Sequence, residues 1–455
     1  MSGIMHRVLN YGMNVLKMPG RVKELHEMTV ESTRLQARIL RELRDAASVT
    51  LERVCSIDGV TPWAGGPIRV VMLVHYLEAW ASLEPVFRAM EADDAFEVTV
   101  ASIPRRFPGA PGFSGEHVVD AELTARGVRH VRLPFADSSE SLDLLRALRP
   151  HVVFRQSQWD ADVPPGFSTR ALSFARLCLV PYETMNIVEN VRHAGTPTDT
   201  AVDTPYHRAA WRVFCANDVV QRAAIEGATL GAEQFVVTGH PKSIAIREAE
   251  GHWPIDGPRR PRIAWSAHHS IGDDWTRFGL FPAMSEAMLR FAETHPECDV
   301  VFLPHPMLLT FGGHHQSPVT QVEVDAFLER WAALPNTATY TGVDYPSVLR
   351  ASDALITDGL SMLIEYQLLG KPLVFVERDG HRPFNDVGDV VVTGAHRIGD
   401  VAAAITAVHR FACGEVDPLR DRQAANVADL FPHPDPDRLI LDAIRTGLSA
   451  SRLEA

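Results

Sequence analysis

A regular alternation of strand-like and helix-like segments begins at residue 68 and continues through most of the chain. The strand-like segments are short and almost entirely apolar, and amphipathic helical stretches separate several of them. Parallel strands that are covered by helices on both faces have continuous apolar sequences of this kind. The pattern therefore predicts an α/β protein built from doubly wound parallel sheets.

The predicted strands form two series. The first comprises residues 68–75, 96–102, 128–133, 151–156, 177–182, 211–217 and 234–238, and the second comprises residues 262–267, 299–303, 337–341, 354–357, 372–377 and 389–393. A stretch rich in proline, glycine and charge separates them at 250–261, which predicts a domain boundary. We expect a GT-B-type arrangement of two Rossmann-like domains, at residues 67–250 and 258–430, with a helical extension at 1–60 and a helical tail at 431–455.

Composition excludes several classes of protein. The formal net charge of −13 disfavours nucleic-acid binding, which depends on a basic surface. The cysteines are scattered without a CxxC pair, which predicts a reducing compartment and argues against a disulfide framework or a cysteine zinc site. No run of 18 apolar residues and no apolar segment after a basic N-terminus occurs, so we expect a cytoplasmic protein.

The first 50 residues differ in charge from the rest, since they carry eight Lys/Arg and five Asp/Glu, a net of +3 against −16 for the remainder. Their apolar residues follow helical spacing. One interpretation is that residues 1–55 pack on the catalytic body or form a homo-oligomer. The other is peripheral contact with the inner face of the cell membrane, because a basic amphipathic helix binds anionic lipid.

Polar residues stand at the ends of several predicted strands, where ligands bind in open α/β sheets. His268, His305, Asp358 and Arg378 share this placement. The chain has no GxGxxG motif and no GxxxxGK[ST] motif, so the signatures of NAD-binding and P-loop proteins are missing. An HExxH motif is also absent, and we expect no metal or other cofactor. The Asp160-Ala161-Asp162 triplet is interpreted as a solvated loop.

Residues 352–366 predict a strand, a tight turn and a helix start. Asp358 and Gly359 form the turn signal, Ser361 lies near the start of the helix, and Glu365 lies one turn further on. A helix start attracts phosphate, and a carboxylate one turn deeper can accept ribose hydroxyls. The pattern is therefore compatible with a nucleotide-diphosphate site, although many such turns bind nothing and carry only a cap.

The same stretch resembles the C-terminal signature of the CDP-glycerol glycerophosphotransferase family, of the teichoic-acid polymerase type. The resemblance runs through Ser352-Asp353, Leu355-Ile356-Thr357-Asp358, Ser361, Glu365 and Lys371-Pro372. Three further pieces match in order, at residues 238–242, 263–269 and 303–306, so that roughly residues 235–395 are covered. The family's Tyr-Ser pair after the aspartate is replaced here by Gly359-Leu360.

The resemblance implies a GT-B-type transferase that moves an alditol phosphate, most simply glycerol phosphate, from a CDP-activated donor to a polysaccharide or lipid-linked acceptor of the cell surface, such as teichoic acid or capsule, with release of CMP. It implies catalysis by His305, and we add His268 as a second candidate. The candidate nucleotide and phosphate ligands are Lys242, Asp358, Gly359, Ser361, Glu365, Arg378 and His381. The acceptor side lacks the family's HGT stretch, and His75 is a candidate to replace its histidine.

Two alternatives stay open. The first is a glycosyltransferase that uses a nucleotide sugar on the same fold, and it would release a nucleoside diphosphate instead of CMP. The second is a non-catalytic scaffold of a surface-polymer assembly complex, and it would bind nucleotide and partners without turnover.

Overall fold

The computed structural model describes residues 60–454 except 108–109, 136, 190–200, 230–231, 273–275 and 310–316, and within the first 59 residues it describes only Ser32 and Gln36, both helical. The chain divides into two compact units, Met1–Val54 and Cys55–Ala455. Nearly all of the first unit, and with it the predicted N-terminal extension, lies outside the described residues. From residue 60 onward, every described residue belongs to the second unit.

The first sheet has seven parallel strands in the order β5-β2-β1-β6-β7-β8-β9. The strands are β1 (Ile68–Val74), β2 (Phe96–Ser102), β5 (His130–Arg132), β6 (Val152–Arg155), β7 (Arg176–Leu179), β8 (Arg212–Cys215) and β9 (Phe235–Val237). A short antiparallel ribbon stands apart, made of β3 (Arg105–Arg106) and β4 (Phe113–Ser114).

The second sheet has six parallel strands in the order β12-β11-β10-β13-β14-β15. The strands are β10 (Arg262–Ala267), β11 (Asp299–Pro304), β12 (Thr337–Thr339), β13 (Ala354–Thr357), β14 (Leu373–Val376) and β15 (His396–Ile398). In both sheets the chain starts in the middle, runs to one edge, returns and continues to the other edge. That reversal is the strand order of a Rossmann fold.

Among the residues described from 60 onward, fifteen α-helices accompany the strands. They are α1 (Glu84–Glu91), α2 (Glu116–Ala125), α3 (Ser138–Ala147), α4 (Pro205–Ala209), α5 (Asp218–Gly227), α6 (Lys242–Arg247), α7 (Phe281–Thr294), α8 (Pro306–Leu309), α9 (Gln321–Ala332), α10 (Tyr345–Ala351), α11 (Leu360–Glu365), α12 (Asp386–Val391), α13 (Val401–Ala412), α14 (Arg420–Leu430) and α15 (Pro436–Glu454).

Both sheets are covered on both faces, as the continuous apolar strands predict. Along β1, Val70 and Met72 belong to one core cluster, whereas Val71 and Leu73 belong to another on the opposite face. In the second sheet, alternate residues of β10, β11, β13 and β14 divide between two clusters in the same way. The protein therefore has the predicted fold class, two doubly wound parallel sheets of the GT-B type.

One predicted strand is wrong. Residues 389–393 belong to α12 and a following 3-10 turn, and the last strand is β15. The side chain of Asn385 caps the helix by accepting the N–H of Gly388 at 2.9 Å. Val387 and Val391, four residues apart, are buried on one helix face. The valine-rich run therefore has helical periodicity, and its β-branched composition suggested a strand.

The chain returns to the first sheet at its end. Helix α14 ends in the core of the second sheet through Leu430, whereas α15 packs on the first sheet. The buried residues of α15 recur at helical spacing: Ile440, Leu441, Ile444 and Leu448. Within the predicted tail at 431–455, residues 436–454 form this helix, which completes the first core. In the described part of the chain, no helix is both long and apolar enough to cross a membrane.

Candidate functional site

The reversal of strand order in the second sheet lies between β10 and β13, which are neighbours. The chain leaves these two strands in opposite directions, which opens a crevice at their carboxyl ends. His268 follows β10 and Asp358 follows β13, so the fold brings these two predicted site residues together. The backbone N–H of His268 donates to Oδ1 of Asp358 at 2.7 Å.

Asp358 is completely buried and holds the loop that follows β10. Its second oxygen accepts the N–H of Leu280, so that both oxygens are occupied by backbone donors. Burial raises the pKa of this carboxyl to about 7, while the hydrogen bonds from Leu280 and His268 act in the opposite direction. In this arrangement Asp358 positions the crevice wall, and its role as a nucleotide ligand stays a prediction.

Three histidines line the carboxyl ends of β10 and β11. The ring of His269 lies 4.1 Å from that of His305 between centroids, and the ring of His268 lies 5.8 Å from it. The N–H of His305 donates to the carbonyl of Ala267 at 3.0 Å, which fixes the end of β11 against β10. His305 and His268 are half-buried, and His269 is buried.

The hydrogen bonds of two of these rings assign their tautomers. Nδ1 of His305 accepts the N–H of Met307 at 3.2 Å. Nδ1 of His268 accepts the N–H of Ser270 at 3.2 Å and lies 2.7 Å from the Ser270 hydroxyl, whose oxygen already accepts from Thr276 and Phe278 and whose hydrogen therefore points to the ring. A neutral imidazole that accepts through Nδ1 carries its proton on Nε2. Both rings therefore carry an Nε2–H donor.

The charge state of the rings supports that assignment. Burial lowers the pKa of His305 to about 4, partly opposed by the carboxylate of Glu78 in the first sheet's half. Burial and then His305 lower the pKa of His268 to about 3, and burial lowers the pKa of His269 further. All three imidazoles are neutral near pH 7, and an anionic ligand beside them would favour their protonation.

Arg378 fixes the loop between β10 and α7. Its Nη1 lies within 3.1–3.5 Å of the backbone carbonyl oxygens of Ser270, Ile271, Gly272 and Gly279. His381, the other predicted ligand in this loop region, has Nε2 at 3.0 Å from Oε1 of Glu377 and Nδ1 at 2.6 Å from the carbonyl of Arg382. Both side chains are engaged with protein groups, and their role as diphosphate ligands stays a prediction.

Gly359 and Ser361 stand at the start of α11. Gly359 is the N-cap residue, and its N–H donates to Oγ1 of Thr357 at 2.9 Å. A Cβ at Gly359 would lie 3.2 Å from that oxygen, so the close approach favours glycine. Ser361 is exposed in the first turn. The helix has only six residues, so its dipole is small and a phosphate site there stays a prediction.

Lys242 and Glu365 form a buried ion pair between the two halves of the protein. Nζ of Lys242 lies 3.1 Å from Oε1 of Glu365, and the two side chains are 6% and 0% exposed. The same oxygen accepts the hydroxyl of Thr184, and Oε2 accepts the hydroxyl of Tyr345. Lys242 also donates to the carbonyl of Tyr182 at 2.8 Å. Both predicted nucleotide ligands therefore belong to one hydrogen-bonded network. It joins the loop after β7 and helix α6, in the first half, to helices α10 and α11 in the second half.

The first sheet presents its own crevice at the corresponding reversal, between β1 and β6. The side chain of Gln156 accepts the N–H groups of His75 and Tyr76, each at 2.8 Å. The ring of His75 is only 1% exposed, and within the described residues neither of its nitrogens has a hydrogen-bond partner. Burial lowers its pKa, as do the nearby guanidinium groups of Arg155 and Arg105.

An ion pair missed from the sequence lies beside this crevice. Arg105 holds both oxygens of Glu78, at 3.1 and 3.2 Å, and its guanidinium stacks over the ring of Tyr76 at 4.7 Å. The carboxylate of Glu78 also opposes part of the lowering of the pKa of His305 that burial causes. No motif marks this pair, because its two members lie 27 residues apart and meet only in the fold.

Residues 160–162 form a 3-10 turn in which no residue is buried, yet both of its carboxylates are hydrogen-bonded to protein groups. Asp160 accepts Nη1 of the fully buried Arg155 at 2.7 Å and the hydroxyl of Thr169 at 2.6 Å. Asp162 accepts the hydroxyl of Ser157 at 2.5 Å. The hydrogen bonds of these two carboxylates hold the loop that follows β6 in place. Among the described residues, the groups of His, Cys and acidic side chains close enough to share a metal ion lie at 295–298 and 409–413, away from both crevices.

Comparison with known proteins identifies the fold. No family model and no curated protein matches this chain. The solved structure of a histidine-to-asparagine variant of the wall teichoic acid polymerase TagF aligns with a TM-score of 0.54 at 12% identity, covering 92% of this chain and 99% of that chain.

A nucleotide-sugar epimerase and a UDP complex align with similar TM-scores. The UDP-GlcNAc 2-epimerase from Neisseria meningitidis, bound to UDP-GlcNAc, has a TM-score of 0.55 at 11% identity, covering 83% of this chain and 100% of that chain. MnaA from S. aureus, solved with UDP, has a TM-score of 0.54 at 12% identity, covering 84% and 97%. Identities this low establish a shared fold and no more.

Proposed function

We propose that this protein is a GT-B-type transferase that moves an alditol phosphate, most simply glycerol phosphate, from a CDP-activated donor to a polysaccharide or lipid-linked acceptor of the cell surface. The observation that carries the proposal is the pairing of His268 and His305 at the carboxyl ends of β10 and β11, with each Nδ1 accepting a backbone N–H so that Nε2–H is left as a donor. Such donors suit phosphoryl oxygens, on which charge redistributes during transfer.

The proposed reaction joins the acceptor to the alditol phosphate. The acceptor hydroxyl oxygen attacks the β-phosphorus of the donor, the bond from that phosphorus to the bridging oxygen breaks, and CMP leaves with the bridging oxygen. A base takes the hydroxyl proton. His305 and His268 stabilise the phosphoryl oxygens, while the acceptor approaches from the first sheet, past His75 and the Glu78–Arg105 pair.

The residues around the donor divide by role in this proposal. Gly359 and Ser361 offer the first turn of α11 to the diphosphate. Asp358, Arg378 and His381 stabilise the side of the crevice that carries His268. They do so through hydrogen bonds to neighbouring protein groups. The buried Lys242–Glu365 ion pair lies between the two halves. This ion pair would have to break before either side chain could bind nucleotide directly.

The fold comparison supports this class of donor. TagF is named as a wall teichoic acid polymerase, and a soak of its variant with CDPG has been solved with the same fold. The alignment to TagF also covers more of this chain than the epimerase alignments do, 92% against 83% and 84%. Neither a membrane contact nor an oligomer through residues 1–55 follows from these comparisons, and both stay predictions.

A second candidate is chemistry on a nucleotide sugar, favoured by the TM-scores of the UDP-GlcNAc 2-epimerase and the MnaA–UDP complex, which are similar to that of TagF. A donor panel separates the candidates. The purified chain is incubated with CDP-glycerol, CDP-ribitol and UDP-GlcNAc, with and without a teichoic-acid-type acceptor, and nucleotides are separated by chromatography. We expect CMP from CDP-glycerol. A nucleoside diphosphate or an epimerised sugar would favour the second candidate, and binding without turnover would favour a scaffold.

Variants of His305 test the mechanism. The amide of His305→Gln can replace the Nε2–H donor, whereas His305→Ala cannot. If the ring acts as a donor, alanine should lower kcat by about 10²–10³ and glutamine should restore part of that loss. Equal and complete loss in both variants would point to a general base instead. His117→Ala, an exposed histidine on α2, is the matched control and should keep full activity.

A further inference from the structure

Two cysteines and two histidines meet at the edge of the second sheet opposite to the crevice. His295 directly follows α7 and Cys298 directly precedes β11, so both lie at the amino end of that strand. His409 lies in the last turn of α13, and Cys413 directly follows this helix. The sequence spacings are His-x₂-Cys and His-x₃-Cys, separated by 110 residues that only the fold brings together.

The donor atoms of this cluster form two overlapping groups that share His409, each compact enough to hold an ion. Those of Cys298, His409 and Cys413 all lie within 4.8 Å of one another, as do those of His295, Glu297 and His409. The rings of His295 and His409 stand 4.7 Å apart at 70°. The ligand atoms of a tetrahedral zinc site lie roughly 3.3–3.8 Å apart, given Zn–S and Zn–N distances of about 2.3 and 2.0–2.1 Å. A four-ligand site would need side-chain rotations that bring His295, which is grouped with His409, to the two cysteines.

The backbone already orients each arm of the cluster. The N–H of Cys298 donates to the carbonyl of His295 at 3.0 Å, and the N–H of Cys413 donates to the carbonyl of His409 at 3.0 Å. Nδ1 of His295 lies 3.0 Å from the carbonyl of Phe291. A histidine that donates one ring N–H to a carbonyl directs its other nitrogen to a metal, which is the usual arrangement around zinc.

We propose that this cluster is a structural Zn²⁺ site whose ligands are Cys298, His409, Cys413 and His295. Cysteine and histidine side chains are the ligands of closed, four-coordinate zinc sites, and softer or harder donor sets would favour other metals. Two thiolates and two neutral imidazoles balance the charge of the ion. Glu297, whose Oε1 lies 3.9 Å from Nε2 of His409, is exposed and remains outside the four ligands.

The accessibility of the four side chains fits metal entry from solvent. Cys298 is fully buried, whereas Cys413 is exposed and both histidines are half-buried. The ion would tie the end of α7 to the end of α13, two helices that pack in the same core cluster. Because the site lies at the amino end of the strands, it would stabilise the second half without touching the crevice.

Metal titration of the untagged full-length chain tests the site. The chain is reduced, stripped with a chelator and titrated with Co²⁺ and then Zn²⁺. We expect about one ion per chain, a thiolate-to-Co²⁺ charge-transfer band with tetrahedral d–d bands, their loss on addition of Zn²⁺, and a higher Tm with Zn²⁺. Absence of a thiolate–Co²⁺ band would overturn the proposal.

Ligand variants localise the binding. Cys413→Ser and His409→Ala should each weaken Zn²⁺ binding by at least about tenfold and abolish the rise in Tm. Cys413 is exposed, so its serine variant is expected to fold. Cys215→Ser and His117→Ala, in the first half, should bind Zn²⁺ as the native chain does. Unchanged binding in Cys413→Ser, or a Cys298–Cys413 disulfide as the sole form under reducing conditions, would show the assignment to be wrong.

Discussion

Asp358 is completely buried, and both of its oxygens accept backbone N–H groups, from His268 and Leu280. An asparagine has the same shape but turns an NH₂ group toward one of these donors. We expect Asp358→Asn to destabilise the protein by about 1–3 kcal/mol, the cost of a buried donor left unsatisfied, and to lower turnover by moving His268. Urea unfolding and a donor assay measure the two effects.

The control for this variant is Ser361→Ala, which removes an exposed hydroxyl from the first turn of α11 and should leave the unfolding midpoint unchanged. If Asp358→Asn unfolds at the native midpoint, the loop after β10 does not depend on the carboxylate. If it is less stable but fully active, the position of His268 does not depend on it.

Single residues show where the sequence was informative about the site. The placement of His268, His305 and Asp358 at strand ends could be read from the apolar runs before them, because parallel strands bring their carboxyl ends to one edge. The tautomers of His268 and His305 could not be predicted from the sequence, because they depend on the backbone N–H donors of Ser270 and Met307. The partner of Lys242 could not be predicted either, because Glu365 lies 123 residues away.

At the scale of elements, the buried Lys242–Glu365 pair joins α6 to α11. Removing one member leaves an uncompensated buried charge, so Glu365→Gln and Lys242→Met should each cost about 3–5 kcal/mol of stability. The double variant should cost clearly less than the sum. Urea unfolding of the four proteins completes the cycle.

An exposed pair provides the contrast. Glu286→Gln breaks a bridge to Arg330 whose side chains are about half exposed, and we expect no measurable change in the unfolding midpoint. Additive effects of the Lys242 and Glu365 substitutions would mean that the two groups do not interact in solution. Loss of nucleotide binding without loss of stability in Glu365→Gln would instead support the role as a ribose ligand.

The strands were predictable as elements because each buried run is short and apolar, whereas residues 389–393 were assigned to the wrong element. A run of only five residues fits both the helical repeat of 3.6 and the strand repeat of two. The side chain of Asn385 caps the helix that forms there. The proximity of Cys298 to Cys413 could not be predicted from the sequence either, because it depends on the packing of the end of α7 against the end of α13.

Helix α15 belongs to the core of the first sheet, which predicts an unequal response along its length. Ile444 is fully buried there, and Ile444→Ala should cost about 2–5 kcal/mol. Leu439, on the same helix, is 37% exposed, and its alanine variant should cost much less. Thermal or urea unfolding compares them. Equal midpoints would mean that α15 detaches in solution.

At the scale of the whole molecule, burial keeps several histidines neutral. Burial is the largest cause that lowers the pKa of His151 and His305 to about 4, and of His207, His240 and His268 to about 3. In the unfolded chain these side chains titrate near 6.5. The unfolded state therefore binds more protons below that pH, and the stability that the neutral rings contribute is lost as the pH falls from about 6.5 toward 4.

The expected outcome is acid lability, at about 1.4 kcal/mol per pH unit for each histidine that stays neutral. Asp358 acts against this trend, because its raised pKa gives stability that is present in acid and lost as the pH rises toward 7. Urea unfolding at pH 7.5, 6.0 and 5.0 checks the sum. A free energy of unfolding that stays constant or rises toward pH 5 would contradict the prediction.

Helix α15 also has a consequence for the order in which the protein can be built. The first sheet ends at Val237, yet its hydrophobic core includes residues as late as Leu448. At about 5–20 residues per second, a ribosome needs tens of seconds or less to add the intervening chain. Throughout that interval the nascent first half exposes the apolar surface that α15 will cover. Chaperone capture during synthesis should therefore peak before residues 436–454 emerge, rather than after the first sheet is complete.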